Sequence, residues 1–190
     1  MENNMSITFD AKSQNESLAR MVVAAFLTEV DPTIEEINDI KTAVSEAVTN
    51  AIIHGYGEKT GTVYMKCNML TNKIKKNDST YETDTTIKIE IKDEGVGIEN
   101  IEKAREPLFT TKPELERSGM GFMFMEMFMD KVDVISEPGK GTTVIMEKKL
   151  KKVIEKNSIK SSQYNSKLMS HTNSKSIGLV NSKEKSGQRA

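Results

Sequence analysis

Apolar positions along this chain recur at two different periods, and the places where the period changes divide it into elements. Ser6-Ile7-Thr8-Phe9 alternates as a strand does, and Ser13 followed three residues later by Glu16 has the spacing of a capping box that starts a helix. Leu18, Val22, Ala25, Phe26 and Val30 then recur at helical spacing. Asp31-Pro32-Thr33 interrupts the pattern, and Thr33 with Glu36 opens a second helix whose apolar stripe is Ile37, Ile40, Val44, Val48 and Ala51, ended by Gly55. Val63, Met65, Cys67 and Met69 alternate with polar neighbours, as do Ile87, Ile89 and Ile91, so both stretches read as half-buried strands. Thr71 to Asp84 between them is polar and aperiodic, the pattern of a long hairpin loop. A short helix is expected from Ile98 to about Arg105, stopped ahead of Pro107, then a loop through 108–119 and a helix from Met120 to Phe128. Lys131–Ser136 and Thr142–Lys149 read as the last two strands, joined by Glu137-Pro138-Gly139-Lys140-Gly141.

The order is strand, two helices, two strands, short helix, loop, helix, two strands. Strands joined by short turns make a mixed, mostly antiparallel sheet, and helices gathered on one face of it make a two-layer α/β sandwich. Residues 1–150 suffice for one domain with a full core. From 151 to 190 Ser, Lys and Asn dominate and apolar residues thin out, the composition of a basic tail without structure of its own.

Charge sharpens this division. The formal net charge is −1, but residues 151–190 hold nine Lys/Arg against two Glu, which leaves −8 on the preceding 150 residues. A nucleic-acid-binding domain would carry its cations on the folded face, so direct nucleic-acid binding is not expected. Cys67 is the only cysteine, which excludes an intramolecular disulfide and suits a reducing, cytoplasmic setting. No apolar run approaches the roughly 20 residues that span a bilayer, so no membrane association is expected. Twelve methionines accompany no tryptophan, five of them between Met120 and Met129, where thioethers suit irregular core packing.

Three short segments carry candidate chemistry. Glu46 and Asn50 are one turn apart on the second helix, and at 100° per residue from Val44 they fall at about 200° and 240°, away from the apolar stripe, with Ala43 and Ala47 leaving room beside them. An Asn oxygen can ligate a magnesium ion that keeps its waters and phosphate ligands, and a Glu can accept a proton from a hydroxyl. Taken alone, the pair is also what any amphipathic helix exposes. Asp93 ends an alternating strand beside Gly95 and Gly97, which let backbone come close to a flat ligand. Gly119 and Gly121 precede the Met120–Phe128 helix, whose first amides can meet phosphate.

In this order the motifs resemble the Bergerat-fold, or GHKL, ATPases, the superfamily of gyrase, Hsp90, histidine kinases and MutL. Ser45–Tyr56 (SEAVTNAIIHGY), Pro107–Phe122 (PLFTTKPELERSGMGF) and Ser13–Arg20 (SQNESLAR) look like the anti-sigma-F factors of sporulating bacteria, over about residues 5–150. The resemblance implies a protein serine kinase that uses ATP and Mg2+. Glu46 would be the catalytic base, Asn50 the magnesium ligand and Asp93 the adenine reader, with Gly95 and Gly97 shaping the pocket. Thr143, or its neighbour Thr142, would support Asp93. Thr110, Thr111, Lys112, Arg117, Gly119 and Gly121 would close over the phosphates. The implied partners are a sigma-F-type sigma factor, which the chain would inhibit, an anti-anti-sigma factor, which it would phosphorylate, and a second copy of itself. Glu16 and Arg20 on the first helix would serve partner contact. Two other readings remain open: a nucleotide-gated sigma-binding module that transfers nothing, and a stress-response anti-sigma kinase of the same superfamily. An autophosphorylating sensor kinase is not expected, because neither His54 nor His171 sits in a dimerisation helix.

Overall fold

The structure, a computed structural model, describes residues 1–57, 59–77, 79–109 and 119–155. Strand β1 (Glu2–Asp10) leads to helix α1 (Gln14–Leu27), a single 3-10 turn and helix α2 (Ile34–Asn50). Strands β2 (Thr62–Lys75) and β3 (Thr80–Lys92) follow, then the short α3 (Ile101–Ala104), α4 (Gly121–Phe128), β4 (Lys131–Glu137) and β5 (Gly141–Glu155). The five strands form one antiparallel sheet in the order β1-β2-β3-β5-β4. Glu2–Asp10 pairs with Thr62–Leu70, and Lys131–Glu137 with Gly141–Glu147.

One face of the sheet supplies half of the core. Val63, Met65, Cys67 and Met69 from β2 and Ile87, Ile89 and Ile91 from β3 are buried, while their alternating neighbours are not, as period-2 patterning requires. The other half comes from helices on that face. α2 contributes Ile40, Ala43, Val44, Ala47 and Val48, and packs against both α1 and α4. Thr33 caps α2 with a complete capping box: its hydroxyl accepts from the Glu36 amide at 3.2 Å, and the Glu36 carboxylate accepts from the Thr33 amide at 2.7 Å.

Several expectations need correction. Ser13 makes no side-chain cap, because its own backbone is helical rather than extended as a cap requires, and the Glu16 carboxylate that would complete the box accepts instead from Ser45 Oγ and pairs with Arg20. The buried face of α1 is Ala19, Val23 and Leu27, rotated from the expected stripe, which leaves Leu18 and Met21 exposed. The interval 71–84 is mostly strand: β2 continues to Lys75 and β3 begins at Thr80, since polar side chains do not prevent backbone pairing. β5 likewise runs past Leu150 to Glu155. Ala43, expected to leave open room, is fully buried in the helix layer.

Contacts divide the described residues into two units, one of Met1–Asn72 with Asp84–Lys151 and another that includes Lys73–Thr83 and residues 152–155. In the second, Asn77 Oδ1 accepts from the Ser79 and Thr80 amides at 2.9 and 2.8 Å, which shapes the hairpin turn, and Thr83 Oγ1 donates to the Lys152 carbonyl at 3.4 Å. The basic tail from 156 onward lies outside the described residues.

Candidate active site

α2 does not stop where its regular ladder ends. After Asn50 the chain widens into a π-turn, Ala51–Tyr56, in which the Gly57 amide donates to the Ile52 carbonyl, five residues back, at 2.9 Å. This turn lies against the segment that follows β3. The Val96 amide donates to the Gly55 carbonyl at 2.9 Å, and a Cβ on Gly95 would lie 2.1 Å from that same oxygen, so only glycine permits the approach. Across from it the Asp93 amide donates to the Thr142 carbonyl at 2.9 Å, and the Gly139 amide to the Val96 carbonyl at 2.7 Å. The Asp93 turn is therefore held between α2 and β5.

These elements enclose a cavity of about 640 Å3, within the range of small-molecule sites. Asn50, Ala51, Gly55 and Tyr56 line it from α2 and the π-turn, Asp93, Val96 and Gly97 from the turn after β3, and Gly121 and Phe122 from the start of α4. Asp93 is buried, and its Oδ1 accepts from the Gly95 amide at 2.8 Å. Burial pushes its carboxyl up from the ordinary value, and hydrogen bonds from the Gly95 and Thr142 backbones and the charge on Lys92 offset part of that rise. At the other end Gly121 opens α4 against the second helix. A Cβ there would come within 3.1 Å of Glu46 Oε2 and 3.3–3.4 Å of the Asn50 amide atoms, so the carboxylate, the amide and the first turn of α4 converge.

The structure thus brings together Asn50, Asp93, Gly97, Gly119 and Gly121 on the cavity wall, with Gly95 packed behind the Asp93 turn and Glu46 beside Gly121. Thr143 does not join them. Thr142 and Val144 line the cavity, and strand alternation turns Thr143 to the opposite face, so of the two threonines it is Thr142 that faces the cavity, its hydroxyl 2.9 Å from Ser136 Oγ. Glu16 and Arg20 sit on α1 outside the lining, paired at 3.1 Å. Thr110, Thr111, Lys112 and Arg117 lie outside the described residues. His54, expected as a structural residue beside the pocket, is part of its wall. Sequence reasoning missed Tyr56, Ile98, Phe122 and Pro138 as lining residues. Only Tyr56 carried a usable signal, an aromatic residue directly after the glycine that ends the helix.

The residues fit a nucleotide with its metal. A buried carboxylate with capacity beyond its backbone donors suits an exocyclic amine. Among the described residues no group of three or more His, Cys, Asp or Glu could hold a metal unaided. One amide and one nearby carboxylate would suit a magnesium ion carried mainly by phosphate oxygens and water, and Asn50 is the residue that would hold it.

Comparison with known proteins agrees with this geometry. The histidine kinase-like ATPase domain matches residues 9–148. The chain belongs to that family of ATP-binding domains. Within it, the chain is an member of the anti-sigma F factor family: it is 57% identical over 149 residues to the anti-sigma F factor of Clostridium acetobutylicum, covering 78% of this chain and 95% of that one. It is 54% identical over 153 residues to that of Oceanobacillus iheyensis, covering 80% and 96%. A solved structure of RsbU and RsbW domains from Mycobacterium tuberculosis aligns at 19% identity with a TM-score of 0.44, over 79% of this chain and about a third (32%) of that one, a likeness too loose to carry weight. Among the described residues no helix is long and apolar enough to cross a membrane.

Proposed function

We propose that this chain is a protein serine kinase that also restrains a sigma factor: it holds a sigma-F-type factor and phosphorylates the anti-anti-sigma protein that would release it. The observation that carries the reading is the convergence of Glu46, Asn50 and the first turn of α4 at one end of a cavity whose other end holds Asp93. Its support in relationship is the anti-sigma F factors, whose name states what they oppose.

ATP, when bound, would supply the phosphoryl group that the partner's serine oxygen accepts, with ADP as the leaving group. Asp93 would read the base through its exocyclic amine, and Asn50 would hold Mg2+. Glu46 would take the proton of the serine hydroxyl, which leaves the carboxylate neutral and the oxygen able to bond phosphorus. The amides opening α4 would favour negative charge beside them. Catalysis of this kind rests on position and charge, and the residues named need only be held still. Arg20 and Glu16 would contact partners, and the protein would act as a homodimer in the cytoplasm of a sporulating cell.

The test is incubation with Mg-ATP and the cognate anti-anti-sigma factor, followed by mass spectrometry of that partner. One added phosphate on serine is expected, with loss of transfer by about a hundredfold or more in Glu46→Gln. ATP binding without any transfer would favour a nucleotide-gated sigma-binding module instead. Transfer at the normal rate by Glu46→Gln would remove the base from its role. Capture of a stress-response sigma factor in preference to sigma-F, in the presence of ATP, would reassign the partner.

A further inference from the structure

We infer that Tyr56 is a positioning residue for base recognition, holding the Asp93 turn at a fixed distance from α2; this rests on the nucleotide reading of the cavity. The turn Asp93-Glu94-Gly95-Val96-Gly97 has little means of holding itself. Two of its five residues are glycine, Glu94 is exposed, and Val96 is 53% exposed, so no side chain after Asp93 packs into the core. Its placement depends on backbone hydrogen bonds to neighbours. On the β5 side these are Asp93 to Thr142 and Gly139 to Val96, and on the α2 side Val96 to Gly55. A further tie on the α2 side comes from a side chain: the Glu94 amide donates to Tyr56 Oη at 2.8 Å, and that hydroxyl donates in turn to the Thr62 carbonyl at 2.7 Å.

The phenol is therefore used in both directions, as acceptor from the turn next to Asp93 and as donor to the first residue of β2. Its ring is fixed as well. It packs against Gly61, where an added Cβ would come 2.2 Å from Tyr56 Cε1, so only a glycine there leaves the ring its place. Packing against Gly61 and two backbone hydrogen bonds thus fix where the hydroxyl sits. What it controls is one residue away: the carboxylate of Asp93, whose Oδ1 is oriented by the Gly95 amide of the same turn. Moving the Glu94 amide moves the acceptor that faces the base.

This differs from general support of the fold, and the difference can be measured. Tyr56→Phe keeps the ring and removes the hydroxyl. ATP and inosine triphosphate differ at the base position that Asp93 would read, an amine in one and a carbonyl in the other. Equilibrium binding of both to the full chain should show ATP weakened about tenfold in Tyr56→Phe, inosine triphosphate almost unchanged, and the preference between them reduced accordingly. The Glu94 amide should lose hydrogen-exchange protection while Val96 keeps it. Gly61→Ala, which forces the ring aside from the opposite direction, should reproduce the reduced preference. A merely structural role would lower the melting temperature and weaken both triphosphates equally, and that outcome overturns the inference. So would an unchanged ATP preference in Tyr56→Phe with wild-type protection of the Glu94 amide. Wild-type protein that binds neither triphosphate would defeat the nucleotide reading and this inference with it, wild-type protein that holds the two equally would defeat this inference alone, and loss of preference confined to the variants sustains both.

Discussion

Asp93 shows at the residue scale how a binding site costs stability. Its carboxyl titrates above the ordinary 3.8 because burial disfavours the charged form more than its backbone donors and Lys92 favour it. The folded state then binds its proton more tightly than the unfolded state does. Asp93 therefore adds most to stability below pH 4, and that contribution is lost as pH rises through the interval between the ordinary value and the raised one. At neutral pH the buried charge is a net cost. Asp93→Asn is expected to melt higher than wild type at pH 7, to lose that advantage near pH 4, and to bind ATP at least tenfold more weakly; thermal scans at the two pH values with a nucleotide titration check it. Asp93 was legible in the sequence because a strand that ends in Asp-x-Gly-x-Gly leaves the carboxylate nowhere to go but the strand's end. Which threonine faces the cavity was not, since choosing between Thr142 and Thr143 needs the phase of β5, and adjacent identical residues conceal a phase.

At the scale of elements, α4 is tied at both ends. Its first residue abuts Glu46 and Asn50, and its last carbonyl, Phe128 O, accepts from Lys148 Nζ at 2.6 Å, a cation on β5 that also lies 3.5 Å from Asp39 Oδ2 on α2. A half-buried ammonium at a helix C-terminus satisfies an orphan carbonyl and complements the helix dipole. Lys148→Met, which keeps the aliphatic stem, should cost about 1–2 kcal/mol, read as a lower urea midpoint at unchanged slope. The pattern of α2 was readable because its stripe is bounded by polar residues and its cap is complete. α1 was not, because Leu18, Met21, Val22, Ala25 and Phe26 spread apolar residues around the helix, and only packing against α2 selects Ala19, Val23 and Leu27. The hairpin was misread for a related reason: Thr, Lys and Asn hide a strand whose pairing depends on backbone alone.

Across the whole molecule, the cavity is assembled from segments that begin at Ala47, Ile91 and Phe109 and reach Val144, so it exists only when the sheet and helix layer are joined. Cys67 reports on that joining. It is buried in the core, and desolvation pushes its thiol up to about 12, so at pH 8 the reactive thiolate is scarce even before access is considered. Alkylation of Cys67 should be negligible in the folded protein, should follow the rate of global opening, and should slow further with bound nucleotide, as mass spectrometry over a time course will show. The two-layer architecture was legible because element order alone restricts it. The joining of the π-turn to the Asp93 turn was not, because no periodicity announces a helix that widens. That widening makes spacing a determinant in its own right. Between Asn50 and Gly57 the chain carries one residue more than a regular ladder accommodates, and the surplus aims Gly55 and Tyr56 at the turn. A relative shortened by one residue in this interval could conserve every motif letter and still present the wrong face of the helix to its ligand; in this fold the gap length belongs to the recognition code as much as the letters do.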